Sequence, residues 1–140
     1  SITDAGAKDL GALTNLSRLE VAGTRVTDAG VKEIAKLTDL TRLYLAGSRV
    51  ADEGMKELTN LKNLSSLTVH FSGLTDAGLK DLAKLTDLRA IELGYNGLVT
   101  DAGVDELRKA LPKCQIKYTP GTAGKVTGGI PAVGSWRESE

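Results

Sequence analysis

The chain has 140 residues, 41% of them hydrophobic, with eighteen Lys and Arg against eighteen Asp and Glu. At that length one domain with a buried core is expected, and the charge balance argues against a nucleic-acid or anionic-membrane surface, which would draw on an excess of cations. Cys114 is the only cysteine, so neither an intramolecular disulfide nor a cysteine-built metal site can form, which suits a reducing, cytoplasmic setting. No run approaches the roughly 20 apolar residues of a membrane helix, and no signal-peptide pattern opens the chain. It starts at Ser1 in the middle of a pattern and reads as an excised fragment or a processed product.

That pattern is a repeat of 24 residues. "ITDAGAKDLGALTNLSRLEVAGTR" (2–25) is followed by "VTDAGVKEIAKLTDLTRLYLAGSR" (26–49) and "VADEGMKELTNLKNLSSLTVHFSG" (50–73). The fourth copy (74–98) carries one extra residue after Asn96, and the fifth (99–118) is contracted. Within a copy, Leu43-Tyr44-Leu45 alternates with the period of a strand, whereas Val31, Ile34 and Ala35 are spaced for one helical face. Each unit is therefore a helix of about two turns, a turn and a strand. Such a helix is marginal alone; stacking stabilises it, with columns such as Val26, Val50, Leu74 and Val99 running through the repeats and strands pairing in parallel.

The L-x-x-L-x-x-L-x-L runs resemble those of the leucine-rich repeat family. They comprise Leu13, Leu16, Leu19 and Val21; Leu37, Leu40, Leu43 and Leu45; Leu61, Leu64, Leu67 and Val69; and Leu85, Leu88, Ile91 and Leu93. The resemblance implies an α/β fold: a right-handed solenoid of about five coils over residues 1–118, with a parallel sheet on the concave face and short helices on the convex one. The family's Asn position falls on Thr24, Ser48, Ser72 and Asn96. With three of the four departing from Asn, the subtype is similar to the irregular "TDAG" class of bacterial proteins, among ribonuclease-inhibitor-like solenoids.

The "TDAG" boxes, with "ADEG" in the third copy, stack Asp4, Asp28, Asp52, Asp76 and Asp101 in one column. A calcium edge would want such carboxylates, but helix capping explains every copy, because Asp accepts from free N–H groups and meets the positive end of the dipole. Four of these residues precede a Lys by four positions, as Asp28 does Lys32, a helix-supporting spacing. Asp101 faces Asp105 instead, so the last helix is expected to be the weakest.

On the concave face the column between strand anchors holds Glu20, Tyr44, Thr68 and Glu92, and the one before it Arg18, Arg42, Ser66 and Ala90. Farther along stand Ala22, Ala46, His70 and Gly94, then Gly23, Gly47, Phe71 and Tyr95. Tyr44, His70, Phe71 and Tyr95 thus form a patch of large side chains among small ones, the kind of anchor favoured at protein interfaces. The candidate partner-binding set is Tyr44, His70, Phe71, Tyr95, Thr68, Arg42 and Glu92. Alternatively, Phe71 and Tyr95 fold down as packing and His70 is an ordinary surface residue.

At the ends, the flank of Leu10, Leu13, Leu16 and Leu19 is expected to lie open unless something covers it. Pro112 stops the last helix, and Cys114 and Ile116 are expected in the two strand-anchor columns, which makes Cys114 a buried small hydrophobe. Residues 119–140 are rich in Gly and Pro and read as linker or disorder, or as a cap using Val126, Ile130, Val133 and Trp136. "GTAGKVT" lacks the spacing of a phosphate loop.

No catalytic constellation, metal motif or dinucleotide motif is present. The expectation is a noncatalytic protein-binding module without cofactors, whose partner is a protein of unknown identity. The alternative is a structural or scaffold segment of a larger receptor or ubiquitin-ligase-type adaptor, associating through open coil ends or the tail. An inhibitor similar to ribonuclease inhibitors would need a strongly charged inner face, and Arg18, Glu20, Arg42 and Glu92 are mixed.

Overall fold

The computed structural model describes residues 3–22, 25–47 and 49–121. The tail residues 122–140, including the four apolar residues considered for a cap, lie outside the described residues. Helices and strands alternate in the order α1 (Asp4–Leu10), β1 (Arg18–Ala22), α2 (Asp28–Ile34), β2 (Arg42–Ala46), α3 (Asp52–Glu57, extended by a 3-10 turn at Leu58–Asn60), β3 (Ser66–His70), α4 (Asp76–Leu82), β4 (Ala90–Asn96), α5 (Asp101–Ala110) and β5 (Gln115–Pro120). The strands form one parallel sheet in sequence order. Register follows the repeat, with Leu19, Leu43, Leu67 and Ile91 in one row and Val21, Leu45, Val69 and Leu93 in another. A second line of parallel bridges joins each box to the coil ahead of it, as Thr27 to Arg49 and Thr75 to Leu98.

Burial matches the ladder argument. Leu37, Leu40, Leu45, Leu61, Leu67 and Leu74 are completely enclosed, as are Val26 and Val50. The first coil has no coil on its outer side among the described residues, and Leu13 is 53% exposed where its counterparts Leu37 and Leu61 are enclosed. Leu10 and Leu16 are half-buried, whereas Leu19 is buried, contrary to expectation, because the strand next to it already covers its side chain.

At the other end the expected register of Cys114 is corrected. Ile91 pairs with Ile116 and Leu93 with Tyr118, so the anchors are Ile116 and Tyr118, and Cys114 precedes the strand, half-buried. Tyr118 can occupy an inward column because its hydroxyl reaches out of the core and donates to the Val99 carbonyl at 3.1 Å. Burial pushes the Cys114 thiol up, which leaves it a poor nucleophile. The strand runs two residues past Tyr118, to Pro120.

The "TDAG" box works differently from a simple acidic cap. The N-cap is the threonine: Thr3, Thr27, Thr75 and Thr100 each accept a helix N–H through the side chain. Asp is the first helical residue, and its carboxylate reaches sideways to the next coil. Asp4 accepts from the Thr27 N–H at 2.7 Å and the Thr27 hydroxyl at 2.6 Å; Asp52 and Asp76 hold Thr75 and Thr100 in the same way. These bonds lower the Asp4 pKa below the usual carboxylate range. The box glycine leaves room for that carboxylate, since a methyl group on Gly54 would sit 2.6 Å from Asp28 Oδ1. Each box is therefore a clip between coils. Turned toward the next coil, the carboxylates of Asp4, Asp28, Asp52 and Asp76 form no ion pair with the Lys four residues on among the described residues; the ion pairs inside α5 lie at i,i+3 instead, as Lys109 with Glu106. Asp105 is likewise paired, with Arg108 at 3.3 Å, and α5, at 10 residues, is the longest helix among the described residues.

Ala51 is the exception, having no hydroxyl to cap α3 or to reach Asp28, which receives only its N–H at 2.8 Å. Ala51→Thr is expected to raise the unfolding free energy by about 1 kcal/mol, the usual worth of a cap. Urea titration checks this, and an unchanged or lowered midpoint would count against the clip.

Candidate partner-binding face

Strand alternation places Arg18, Glu20 and Ala22 of β1, Arg42, Tyr44 and Ala46 of β2, Ser66, Thr68 and His70 of β3, and Ala90, Glu92 and Gly94 of β4 on the same, non-core face. Two shallow hollows flank Thr68 there. One of about 180 Å³ is lined by Arg18, Glu20, Arg42, Tyr44, Ser66 and Thr68, and one of about 160 Å³ by Thr68, Glu92, Gln115 and Lys117 among others. A larger groove of about 410 Å³ lies on the helical side between α4 and α5, walled by Leu79, Ala83, Leu107 and Ala110, away from every candidate residue.

The aromatic set is one connected cluster. Tyr44 meets the His70 ring edge-on at 5.6 Å, His70 meets Phe71 at 6.4 Å, and Phe71 stacks on Tyr95 at 4.9 Å with planes 11° apart. Phe71 is 40% exposed, while Tyr44 and Tyr95 are half-buried. Thr68 lies between the two hollows, Glu92 touches His70, and Arg42 shares a hollow with Tyr44 but stands at the start of its strand, away from His70 and Phe71.

His70 is not the surface residue the sequence suggested; it is 6% exposed. Its strand neighbours are Ala46 and Gly94, which leave room on both sides for the imidazole, and Tyr44 and Phe71 close over it. His70 thus supports the patch from beneath. Burial pushes its pKa down, opposed by the Glu92 carboxylate 3.4 Å from Nε2. The folded state therefore favours the neutral ring. This site contributes its full stability above the ordinary histidine pKa of about 6.5 and loses it as pH falls toward the depressed folded value. Denaturation midpoints measured from pH 8 to pH 5 are expected to fall on acidification, and His70→Gln is expected to flatten the fall. Equal slopes in the two proteins would show that His70 is not its source.

Phe71 and Tyr95 have backbone φ of 52° and 58°, the left-handed region, in the column where Gly47 sits at 62°. The glycines of that column were the sequence signal for this conformation. Beside them Asn96, 1% exposed, donates to the Val69 carbonyl at 2.9 Å and accepts from the Ser72 N–H at 2.9 Å and the Ser72 hydroxyl at 2.8 Å. It clamps the turn that carries His70 and Phe71, a role the repeat pattern placed but did not link to the patch.

The sequence model of the leucine rich repeat family matches residues 12–35, 36–58 and 84–107, just over half of the chain. The chain belongs to the leucine-rich repeat family. Solved structures similar to this leucine-rich repeat chain include an internalin from Listeria monocytogenes, with 23% identity and a TM-score of 0.63 over 82% of this chain and 36% of that one. A leucine-rich repeat protein of Leptospira interrogans is similar at 24% identity and a TM-score of 0.53, over 79% of this chain and 33% of that one. This chain therefore spans about a third of the length of each, and the likeness is one of fold. No curated protein shows significant sequence similarity to it. Among the described residues no helix is long and apolar enough to cross a membrane, and no group of three or more His, Cys, Asp or Glu could hold a metal ion.

Proposed function

We propose that this chain is a noncatalytic protein-binding module that holds its partner on the concave sheet face, with Tyr44, Phe71 and Tyr95 as anchors, Thr68, Arg42 and Glu92 as polar contacts, and His70 as support. The observation that carries this reading is the left-handed backbone of Phe71 and Tyr95. Gly47 occupies the same column without penalty, whereas a side chain there costs about 1–2 kcal/mol. Two stacked, solvent-accessible aromatic rings held at that cost are better accounted for by a contact they make than by the fold they burden.

Affinity capture with the intact chain, compared with the Phe71→Gly/Tyr95→Gly double variant, tests the reading. The variant is expected to lose its partner, yet relief of strain offsets lost stacking, so its unfolding free energy should move by no more than about 1 kcal/mol, against the 3–5 usual for an aromatic deletion in a core. Partner recovery equal to that of the parent chain would overturn it. The half-open first coil, with Leu13 53% exposed, favours a second reading in which coil ends associate as part of a longer scaffold. Size-exclusion elution that shifts with concentration, and stops shifting in Leu13→Lys, would favour that one.

A further inference from the structure

Among the described residues of the sheet's outer face, Arg42 is the charged side chain with neither an ion pair nor an opposite charge directly across the sheet. Arg18 is paired with Glu20 at 2.7 Å, and Glu92 lies 3.4 Å from His70 Nε2 and directly across from Lys117 in the sheet. Arg42 is exposed and forms no ion pair or side-chain hydrogen bond among the described residues. It also stands directly opposite Arg18 on the neighbouring strand, and like charges so placed repel. With Arg18 already held by Glu20, an anion seated against Arg42 would offset that repulsion. The hollow of about 180 Å³ at this point is lined by both guanidinium-bearing residues, by Glu20, which is already engaged by Arg18, by the hydroxyl-bearing Ser66 and Thr68, and by Tyr44.

Resting on the concave-face reading above, we infer that the partner presents an extended segment with a carboxylate side chain in the Arg42 hollow and an apolar or aromatic residue against the Phe71–Tyr95 stack. An arginine fork matches a carboxylate in plane and charge, and the exposed ring pair supplies the apolar seat. The spacing follows from the sheet. Arg42 lies four residues before Ala46, which pairs with His70, itself paired with Gly94 one strand further on; Phe71 and Tyr95 directly follow those two residues. Four residues along a strand and one or two strands across correspond to roughly 14–16 Å, or about four to five residues of extended chain. The motif is an acidic residue four or five positions from an apolar one.

The test is selection of displayed random dodecapeptides on the full chain, followed by titration of synthetic copies of the winners. The expected winners carry Asp or Glu at that spacing from Leu, Phe, Tyr or Trp. They should lose about tenfold or more in affinity when their acid is changed to the amide, or on Arg42→Gln with an unchanged melting curve, and bind more weakly as salt rises. Arg42→Glu is expected to shift selection toward Lys and Arg. Winners that depend on Phe71 and Tyr95 but carry no acid and ignore Arg42→Gln would overturn this inference and leave the concave-face reading standing. Winners indifferent to both the aromatic and the Arg42 variants would overturn both.

Discussion

Gly78→Ala is expected to destabilise the protein by about 2–3 kcal/mol, although helix propensity alone would make it stabilising by about 1 kcal/mol. Gly78 lies inside α4, where alanine is ordinarily the better residue. A methyl group there, however, would overlap Asp52 Oδ1 and a Leu74 methyl, and would come 3.2 Å from Asp52 Cγ. Asp52 is not free to move, since its carboxylate accepts from the Thr75 N–H at 2.8 Å and from the Thr75 hydroxyl. Displacing it forfeits both charge-assisted bonds and leaves a half-buried N–H unsatisfied, a loss larger than the propensity gain. The decisive measurement is a double-mutant cycle in urea. Once Asp52→Ala has removed the carboxylate, only the overlap with the Leu74 methyl is left, so adding Gly78→Ala should cost clearly less than in the parent, giving a coupling of about 2 kcal/mol. Additive effects would mean that the clip is not what requires glycine.

For Asn96→Ala the expected loss is about 3 kcal/mol, together with a disordered aromatic patch. Three hydrogen bonds end on this one enclosed side chain, and its removal strands the Val69 carbonyl and the Ser72 N–H. Those two groups bracket His70 and Phe71, so the turn that holds the stacked rings loses its fastening. Near-ultraviolet circular dichroism of the tyrosines should weaken even at temperatures where the variant remains folded, while Ser72→Ala, which removes a single hydroxyl, should cost only about 1 kcal/mol. An Asn96→Ala protein with the parent's near-ultraviolet spectrum would separate the clamp from the patch.

The two variants also mark how far the repeat could be read. The 24-residue spacing made Asp52, Gly78 and Asn96 column members. Spacing says which residues are equivalent, not which equivalent residues bond. Asp52 fits the local pattern of a helix cap as well as it fits an inter-coil clip, and only the lateral offset of one coil on the next brings its carboxylate to Thr75 rather than to its own helix. Cys114 was misplaced for a related reason: the contracted fifth copy breaks the count, and pairing of Ile91 with Ile116 sets the register there.

His70 shows the same limit at the candidate site. Alternation along β3 correctly put it on the sheet's outer face, but outward-facing is not exposed. Whether a side chain there meets solvent depends on the size of its neighbours across strands, here Ala46 and Gly94, and on the rings of Tyr44 and Phe71 that close over it. The sequence alone determined the repeat, the core ladders and the face on which Tyr44, Thr68, His70 and Glu92 stand, because hydrophobic periodicity acts locally and identically in every coil. The tertiary structure alone decided that His70 is buried, that the Phe71 and Tyr95 rings stack on each other, and that the aspartates clip coil to coil. Each of those outcomes depends on contacts between coils, whose geometry no single repeat contains.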